Sequence, residues 1–363
     1  MAYTNIDDPS AYFQTALYAG DSSNSTVITN DGNSDLQPDW VWIKSRNEGN
    51  AGTGGHMWFD SSRGIKSTTG SNSPFLVSNS TSGDQTNANG LQAIGTDSFT
   101  PGSMTRTNET GDNYAAWQWK ANGGTTASNS NGSITSTVQA NTTAGFSIVT
   151  YTGTGSAATV GHGLGVTPDM IIFKNRSGAN VWATYHQGLG NNLKLELNSS
   201  NAQDSDGAFM NGTLPTSSVF SVGASANTNT GSSNYIAYCF NNVQGYSKFG
   251  KYVGNGNASG PFVYTGFKPA FVMIKVTSAV ESWTMFDGAR KPFNRDDNVA
   301  SIYANTSGAE YTGASYHNID ILSNGFKVRL TNTAVNASGA SYIYMAFAEN
   351  PFVTSTGIPT TAR

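Results

Sequence analysis

Short apolar runs separated by clusters of Gly, Asn and Ser follow one another along the whole chain. Two of them, Met170–Phe173 and Phe271–Ile274, are continuous, which is the pattern of a strand buried on both faces. Leu193–Leu197 and Phe326–Leu330 alternate between apolar and polar residues, which indicates strands with one face in water. The sequence contains no capped amphipathic helix. It therefore predicts an all-β protein of short antiparallel strands, arranged as sandwiches or jelly rolls.

One pattern of landmarks occurs three times. The landmarks are Tyr18, Pro38, Lys44 and Trp58 in the first third, Tyr151, Pro168, Lys174 and Trp182 in the middle, and Tyr252, Pro269, Lys275 and Trp283 in the last third. The last two sets have identical spacing from Tyr to Pro to Lys, whereas a Gly-rich insertion at 47–55 delays the tryptophan of the first set. This repetition predicts three tandem β-sandwich domains, at residues 1–133, 134–243 and 244–363.

The two junctions differ in composition. Residues 121–133 are rich in Gly, Ser, Thr and Asn, which is typical of a flexible connector. Residues 241–246 leave no room for a linker, so the second and third domains are expected to pack as a fixed pair. The first copy departs most from the common pattern.

The recurring tryptophans and lysines invite a structural interpretation. Trp58, Trp182 and Trp283 are expected to pack between sheets, because repetition at one place in a fold is typical of a core. The alternative is that each indole is a platform for a sugar ring. The three lysines that end the apolar runs are expected to carry their ammonium groups out to solvent.

Composition narrows the possible functions of the 363 residues. Only 12% are charged and the net charge is −4, so the chain has no basic field that would attract nucleic acid. The 11% of aromatic residues argues against disorder. The single Cys239 excludes an intrachain disulfide and a cysteine zinc site. No apolar run could span a membrane, and the first residues lack the pattern of a signal peptide. We therefore expect synthesis in a cytoplasm and no insertion into a membrane.

The sequence offers no catalytic constellation. The four histidines form no metal-binding pair, and Gly161–Gly165 lacks the Lys and Ser/Thr of a phosphate loop. Asp204 with Asp206, and Asp296 with Asp297, are close carboxylates, but their polar surroundings favour solvated loops over a glycosidase pair or a calcium site. We predict a protein that is not an enzyme, without cofactor or metal.

Two loops are the candidates for ligand binding. Residues 201–212 and 290–298 follow the Trp-bearing strands of the second and third copies, and each mixes Asp, Asn and an aromatic residue. That mixture suits sugar recognition, which needs an apolar face and directional hydrogen bonds. The candidate residues are Asp204, Asp206, Phe209, Phe293, Asn294, Asp296 and Asp297. The alternative is that these loops are solvated turns or subunit contacts.

Several of these motifs resemble a known family. Gly145–Gly155, Val160–Gly165 and Pro168–Lys174 are similar to a repeated module of tailed bacteriophages, notably those of marine bacteria. Tyr235–Phe240 and Tyr342–Glu349 resemble the closing strand of that module. The resemblance covers nearly the whole chain. It implies a virion protein with a structural or host-attachment role, in which the divergent first copy, residues 1–133, would join the particle. It supplies no catalytic residues.

The expected function is therefore that of a surface protein of the virion, a tail fibre or receptor-binding subunit. Such appendages act through many weak sites, so a homo-oligomer, a trimer above all, is expected. Its other partners would be virion proteins and a host-surface glycan. One alternative is a capsid decoration protein that cements the shell. A depolymerase of host glycans is a further alternative.

Overall fold

The computed structural model describes residues 3–47, 54–65, 72–292, 294, 300–313 and 318–360. The described chain is nearly all β, with strands paired antiparallel in several sheets, and the predicted fold class is confirmed at that level. Helix in this described part is confined to one turn of 3-10 helix at Pro9–Ala11 and two four-residue helices. Three segments, each with one large and one small sheet, are called first, second and third (residues 13–119, 127–240 and 247–351).

The first segment contains nine strands and one short helix in its described residues. They are β1 (Phe13–Ala19), β2 (Ile28–Thr29), β3 (Trp40–Ser45), β4 (Met57–Asp60), β5 (Ser73–Val77), β6 (Gln85–Asn87), β7 (Leu91–Gly95), β8 (Ser98–Pro101), α1 (Thr105–Asn108) and β9 (Asn113–Trp119). The large sheet has the order β1-β9-β3-β4-β5-β6, and the small sheet has the order β2-β8-β7.

The second segment, which is described throughout, contains ten strands. They are β10 (Ala127–Asn129), β11 (Ser136–Asn141), β12 (Phe146–Thr152), β13 (Ala158–Gly161), β14 (Met170–Asn175), β15 (Ala183–His186), β16 (Leu193–Glu196), β17 (Asp204–Ser205), β18 (Val219–Val222) and β19 (Asn234–Phe240). The large sheet has the order β10-β11-β12-β19-β14-β15-β16-β17, and β13 pairs with β18.

The third segment contains eight strands and one short helix in its described residues. They are β20 (Ser247–Val253), β21 (Phe262–Tyr264), β22 (Phe267–Val276), β23 (Thr284–Asp287), β24 (Ile302–Tyr303), β25 (Ile319–Leu322), β26 (Gly325–Val328), α2 (Thr333–Asn336) and β27 (Ser341–Pro351). The sheets have the orders β20-β27-β22-β23-β24 and β21-β26-β25.

The three large sheets share one strand order. In each, the last strand of the segment lies between the strand that bears Tyr18, Tyr151 or Tyr252 and the long apolar strand, as in β1-β9-β3, β12-β19-β14 and β20-β27-β22. The next strands follow outward, as β4 and β5, β15 and β16, and β23 and β24. The sheets therefore place equivalent side chains in the same relation to their neighbours.

One aromatic core is common to all three segments. It contains Phe13, Trp40, Trp42, Trp58, Trp117 and Trp119 from the first, Phe146, Met170, Ile172, Trp182, Tyr238 and Phe240 from the second, and Phe249, Phe271, Met273, Trp283, Met285 and Phe347 from the third. All seven tryptophans of the chain belong to this shared core. Ring contacts cross between segments, such as Trp58 to Trp182 with centroids 4.6 Å apart. Burial of this much aromatic area stabilises the association of the three large sheets.

Each segment also has a core of its own, between its large and small sheets. Strand β14 contributes to both kinds of core: Met170 and Ile172 lie in the shared core, whereas Ile171 and Phe173 lie in the local core of the second segment. Successive side chains of a strand point to opposite faces. The predicted two-sided burial of this run is therefore correct, and its cause is the contact between segments.

A stacked tyrosine pair closes one end of every segment. The pairs are Tyr18 with Tyr114, Tyr151 with Tyr235, and Tyr252 with Tyr342. Beside each pair a buried asparagine, namely Asn108, Asn229 or Asn336, bonds the loop that follows strand β1, β12 or β20. In the second segment its amide accepts from Thr154 N at 2.7 Å and donates to Gly223 O at 2.9 Å. These bonds hold loops that have little apolar material of their own.

The stretch predicted to be a flexible connector, 121–133, is tied to its surroundings. Part of it forms strand β10, which pairs with β11. The buried carboxylate of Asp39 accepts hydrogen bonds from the backbone N–H groups of Ala121, Gly123 and Gly124. Burial raises the pKa of Asp39, and these bonds oppose that rise. A Gly-rich composition here serves close backbone contact with a carboxylate.

Candidate functional site

Three buried lysines link the segments in a cycle. Lys44 of the first segment donates to Ser307 O of the third at 3.3 Å, Lys174 of the second donates to Thr81 O of the first at 2.9 Å, and Lys275 of the third donates to Ser200 O of the second at 3.2 Å. All three side chains are fully buried, so the prediction that they reach solvent is wrong. Burial lowers the pKa of each to about 8.

A second cycle runs through three ring N–H groups. Trp182 Nε1 donates to Val77 O at 3.2 Å, Trp283 Nε1 donates to Glu196 O at 2.9 Å, and His56 Nε2 lies 3.0 Å from Tyr303 O. The three acceptors lie at the ends of strands β5, β16 and β24. The backbone N–H of each ring residue also donates to an asparagine side chain, that of Asn79, Asn198 or Asn305.

The strand register identifies which residues are equivalent. Trp182 and Trp283 directly precede the residues that pair with Phe173 and Ile274, and His56 holds that position beside Met57, which pairs with Ile43. Trp58 pairs with Trp42 instead. The alignment of Trp58 with Trp182 and Trp283 is therefore wrong, although the predicted burial of all three indoles is correct.

Two buried carboxylates hold a third set of contacts between segments. Asp60 accepts from Arg63 Nε at 2.5 Å and from Tyr238 of the second segment at 2.7 Å. Asp287 accepts from Arg290 Nε at 2.5 Å and from Trp117 of the first segment at 3.0 Å.

In the second segment His186 occupies the strand position that Asp60 and Asp287 hold in the first and third segments. Its ring bonds Tyr344 O of the third segment at 3.1 Å. Burial lowers the pKa of His186 to about 4, so its ring is neutral at pH 7. These acid and base groups are committed to joining the segments.

The first predicted binding loop presents carboxylates without an accessible aromatic face. Asp204 is exposed in β17 and pairs with Lys194 at 3.3 Å, while Asp206 bonds Ala208 N and Ser225 Oγ. Phe209 is 1% exposed and packs edge-on against Phe173 in the local core. Its ring is therefore a core group and offers no platform to a sugar.

The second predicted loop is described only in part, because Phe293, Asp296 and Asp297 lie outside the described residues. Asn294 is exposed, and its side-chain amide bonds both the N–H and the C=O of Ile321 in strand β25. This residue ties the loop to the small sheet of the third segment.

A cleft of about 290 Å³ lies beside that loop, between the first and third segments. Its walls are Phe13, Gln14, Lys268, Lys291 and Glu349, among others. Lys268 forms an ion pair with Glu349, and Gln14 bonds the backbone at 32 and 34. This cleft has no local sequence pattern, because its two walls are more than 200 residues apart in the chain.

Residues 8–351 match a family described as a domain of unknown function, DUF7483. The chain belongs to the DUF7483 family. No curated protein and no solved structure matches it. Because the match runs through all three segments, the family is defined on the whole assembly around the shared core.

The described histidines of this DUF7483 chain form hydrogen bonds within the fold. Three of its histidines are buried and bonded to backbone carbonyls or to Trp42, and His317 lies outside the described residues. Among the described residues no cluster of His, Cys, Asp or Glu could hold a metal ion. None of the described helices is long and apolar enough to cross a membrane.

Proposed function

We propose that the chain is a surface protein of a bacteriophage particle whose function is attachment to the host, as part of a tail fibre or receptor-binding assembly. The motif resemblance to a phage module supports the origin. The observation that carries the binding role is the cyclic set of contacts, in which Lys44, Lys174 and Lys275 each reach the next segment. Contacts of this kind support one rigid body that presents polar loops on its outside.

We further propose that the three segments are tandem β-sandwich domains that arose by internal repetition. The shared strand order and the equivalent bonds of His56, Trp182 and Trp283 support this proposal. Each sandwich would consist of one large and one small sheet around its local core. In this view the chain is a trimer of domains within one polypeptide.

Capsid decoration is the second candidate function, and the cyclic arrangement favours it. A body built of three similar units in a ring can offer three similar contacts to a threefold position of a shell. The homotrimer remains a proposal for either function. A single chain already buries an aromatic core of the kind that the subunits of a trimer would otherwise share.

The depolymerase alternative has the weakest support. A glycosidase needs two carboxyl groups on either side of an accessible sugar site. Asp60 and Asp287 are fully buried and paired with arginines, and Asp204 is paired with Lys194. These ion pairs support a role of the three carboxylates in structure and binding.

The test is to locate the protein on the particle. Purified virions of the phage that encodes the chain are labelled with antibody fragments against it and imaged by electron microscopy. Label on the tail tip or fibres supports attachment, and label over the shell supports decoration. Particles that lack the protein altogether would contradict both.

A further inference from the structure

The described residues expose few aromatic side chains, and those few lie close together. Tyr3 and Tyr264 are each 60% exposed and Phe262 is 45% exposed, whereas all seven tryptophans are buried. Tyr264 and Phe262 alternate with the buried Val263 on strand β21, so both rings leave the same face of the strand. Exposed aromatic residues at a sheet edge are an association hazard, and their clustering points to binding.

The matching strands in the other segments provide an internal control. Ile28, Val160 and Val263 are equivalent, because each pairs with a buried phenylalanine of the neighbouring strand. The position that follows holds Thr29 in the first segment, Gly161 in the second and Tyr264 in the third. The fold therefore does not require an aromatic residue there.

The edge of the small sheet is covered at strand β13 of the second segment and open at strand β21 of the third. In the second, the chain covers β13: Ile134 N donates to Thr159 O at 2.9 Å, and Asn129 lies against Gly161. In the third, β21 is the outer strand of the order β21-β26-β25, and Tyr264 stands open at the rim of a concavity.

That concavity has a volume of about 430 Å³ and is walled by two kinds of group. Tyr3, Tyr264 and the half-buried Phe352 provide apolar surface, while Asn242, Gln244 and Lys248 provide hydrogen-bonding groups. Its volume lies within the range of about 300–1,000 Å³ that small-molecule sites occupy. One lysine gives too little positive charge for a phosphate-rich ligand, and the polar wall is unsuited to a lipid chain.

The walls are held in place before any ligand arrives. Tyr264 sits on a strand paired with β26, and the residue after Tyr3, Thr4, donates to Gln244 O at 2.9 Å. Asn242 is fixed by two bonds, from its N–H to Asp169 and from Phe249 N to its side-chain oxygen. Tyrosine side chains lose little conformational entropy on binding, which suits a rigid platform.

We propose that this concavity binds a saccharide, with the Tyr3 and Tyr264 rings against the C–H face of a pyranose ring and Asn242, Gln244 and Lys248 bonding its hydroxyls. The inference rests on the proposed host-attachment function and deepens it by naming the ligand class. It relocates sugar recognition from the loops at 201–212 and 290–298 to the edge of β21.

The experiment uses the full chain and a panel of simple pyranosides at about 10 mM, observed by saturation-transfer NMR, because single sites of this kind are weak. We expect binding, and we expect Tyr3→Ala and Tyr264→Ala each to weaken it about fivefold or more. Tyr264→Trp should keep the affinity within about twofold, since it preserves a stacking face. Val280→Ala removes a side chain that is 67% exposed outside the concavity, and it serves as the control.

Three outcomes overturn the proposal. Absence of binding to the whole panel removes the saccharide site, and binding that both tyrosine variants retain places any site elsewhere. Concentration-dependent dimerisation that Tyr264→Ala abolishes would instead assign the exposed edge to self-association. Adsorption of particles to host cells is measured separately. If the unchanged chain binds pyranosides but particles that carry Tyr264→Ala adsorb normally, the attachment function is contradicted and the saccharide site stands.

Discussion

The inner and outer sides of the three segments follow different rules. On the inner side, His56, Trp182 and Trp283 differ in residue type, yet each makes the same ring contact to a carbonyl oxygen of another segment. On the outer side, the equivalent positions of the small sheets hold residues as different as Thr29, Gly161 and Tyr264. Closure of the body therefore constrains the inner positions, whereas the outer ones can differ from segment to segment.

The largest effect is expected at the inner tryptophans. Trp182→Ala or Trp283→Ala removes a large side chain from the shared core and should lower the free energy of unfolding by about 3–5 kcal/mol. His56→Ala should cost less, about 2–3 kcal/mol, because it removes a smaller ring and leaves Trp42 Nε1 without its acceptor. Urea denaturation of the three variants measures the order. An unchanged midpoint for Trp182→Ala would contradict the assignment of that residue to the core.

The buried asparagines should come next. Asn229→Ala removes the acceptor of Thr154 N and leaves the buried carbonyl of Gly223 without its donor, and about 2–3 kcal/mol of stability should be lost. Asn201→Ala changes an exposed asparagine and should have an effect within about 0.5 kcal/mol. Equal effects of the two substitutions in urea denaturation would remove the structural role given to Asn229.

The buried lysines predict an unusual pH dependence. Below about pH 8 Lys44, Lys174 and Lys275 are charged in both states, so the cost of burying them is constant. Between about 8 and the unfolded value of 10.5, the unfolded chain holds protons that the folded chain has released, and stability rises with pH. Above about 10 the buried tyrosines reverse the trend, because their pKa values are raised.

Urea denaturation at pH 7.5 and 9.5 tests this dependence. We expect a gain of roughly 1–2 kcal/mol for each lysine across that interval. Lys174→Met should lose about a third of the gain, since one of the three titrating groups is gone. A stability that falls steadily from pH 7.5 to 9.5 would show that the lysines are not buried in solution.

The smallest effect is expected for a partly exposed ion pair between segments. Arg176 Nε lies 2.7 Å from Asp84, and about a quarter of its side chain is exposed. Arg176→Ala should therefore cost less than about 1 kcal/mol in urea denaturation. A loss as large as that of Trp182→Ala would show that charged contacts rather than the aromatic core hold the segments together.

Local patterns predicted the strands well, because the residues that define a strand are consecutive in the sequence. The apolar run Met170–Phe173 was predicted to be buried on both sides, and it is. The same reasoning failed for Lys174 and its equivalents, because the carbonyl oxygens that receive the ammonium groups belong to another segment. A lysine at the end of an apolar run gives the same sequence pattern whether its ammonium group reaches solvent or another segment of the chain.

The candidate sites were harder to predict than the fold. Phe209 lies in a polar stretch of sequence, yet its ring packs against Phe173, a contact that depends on the chain folding back. The aromatic concavity joins Tyr3 to Tyr264, which are near the start of the chain and in its last third. The sequence does contain one indication of this site, at Phe262–Tyr264, where two aromatic residues share the outward side of a short strand.

Hydrogen exchange on Asn229→Ala tests the central claim, that three segments form one body around a shared core. The substitution weakens the second segment alone, at a residue outside the tryptophan cluster. If the segments are coupled, protection must fall in the strands of the first and third segments, such as β3 and β22, by the same free energy as in β14. Loss of protection confined to residues 127–240 would contradict the account, because the segments would then open as independent units.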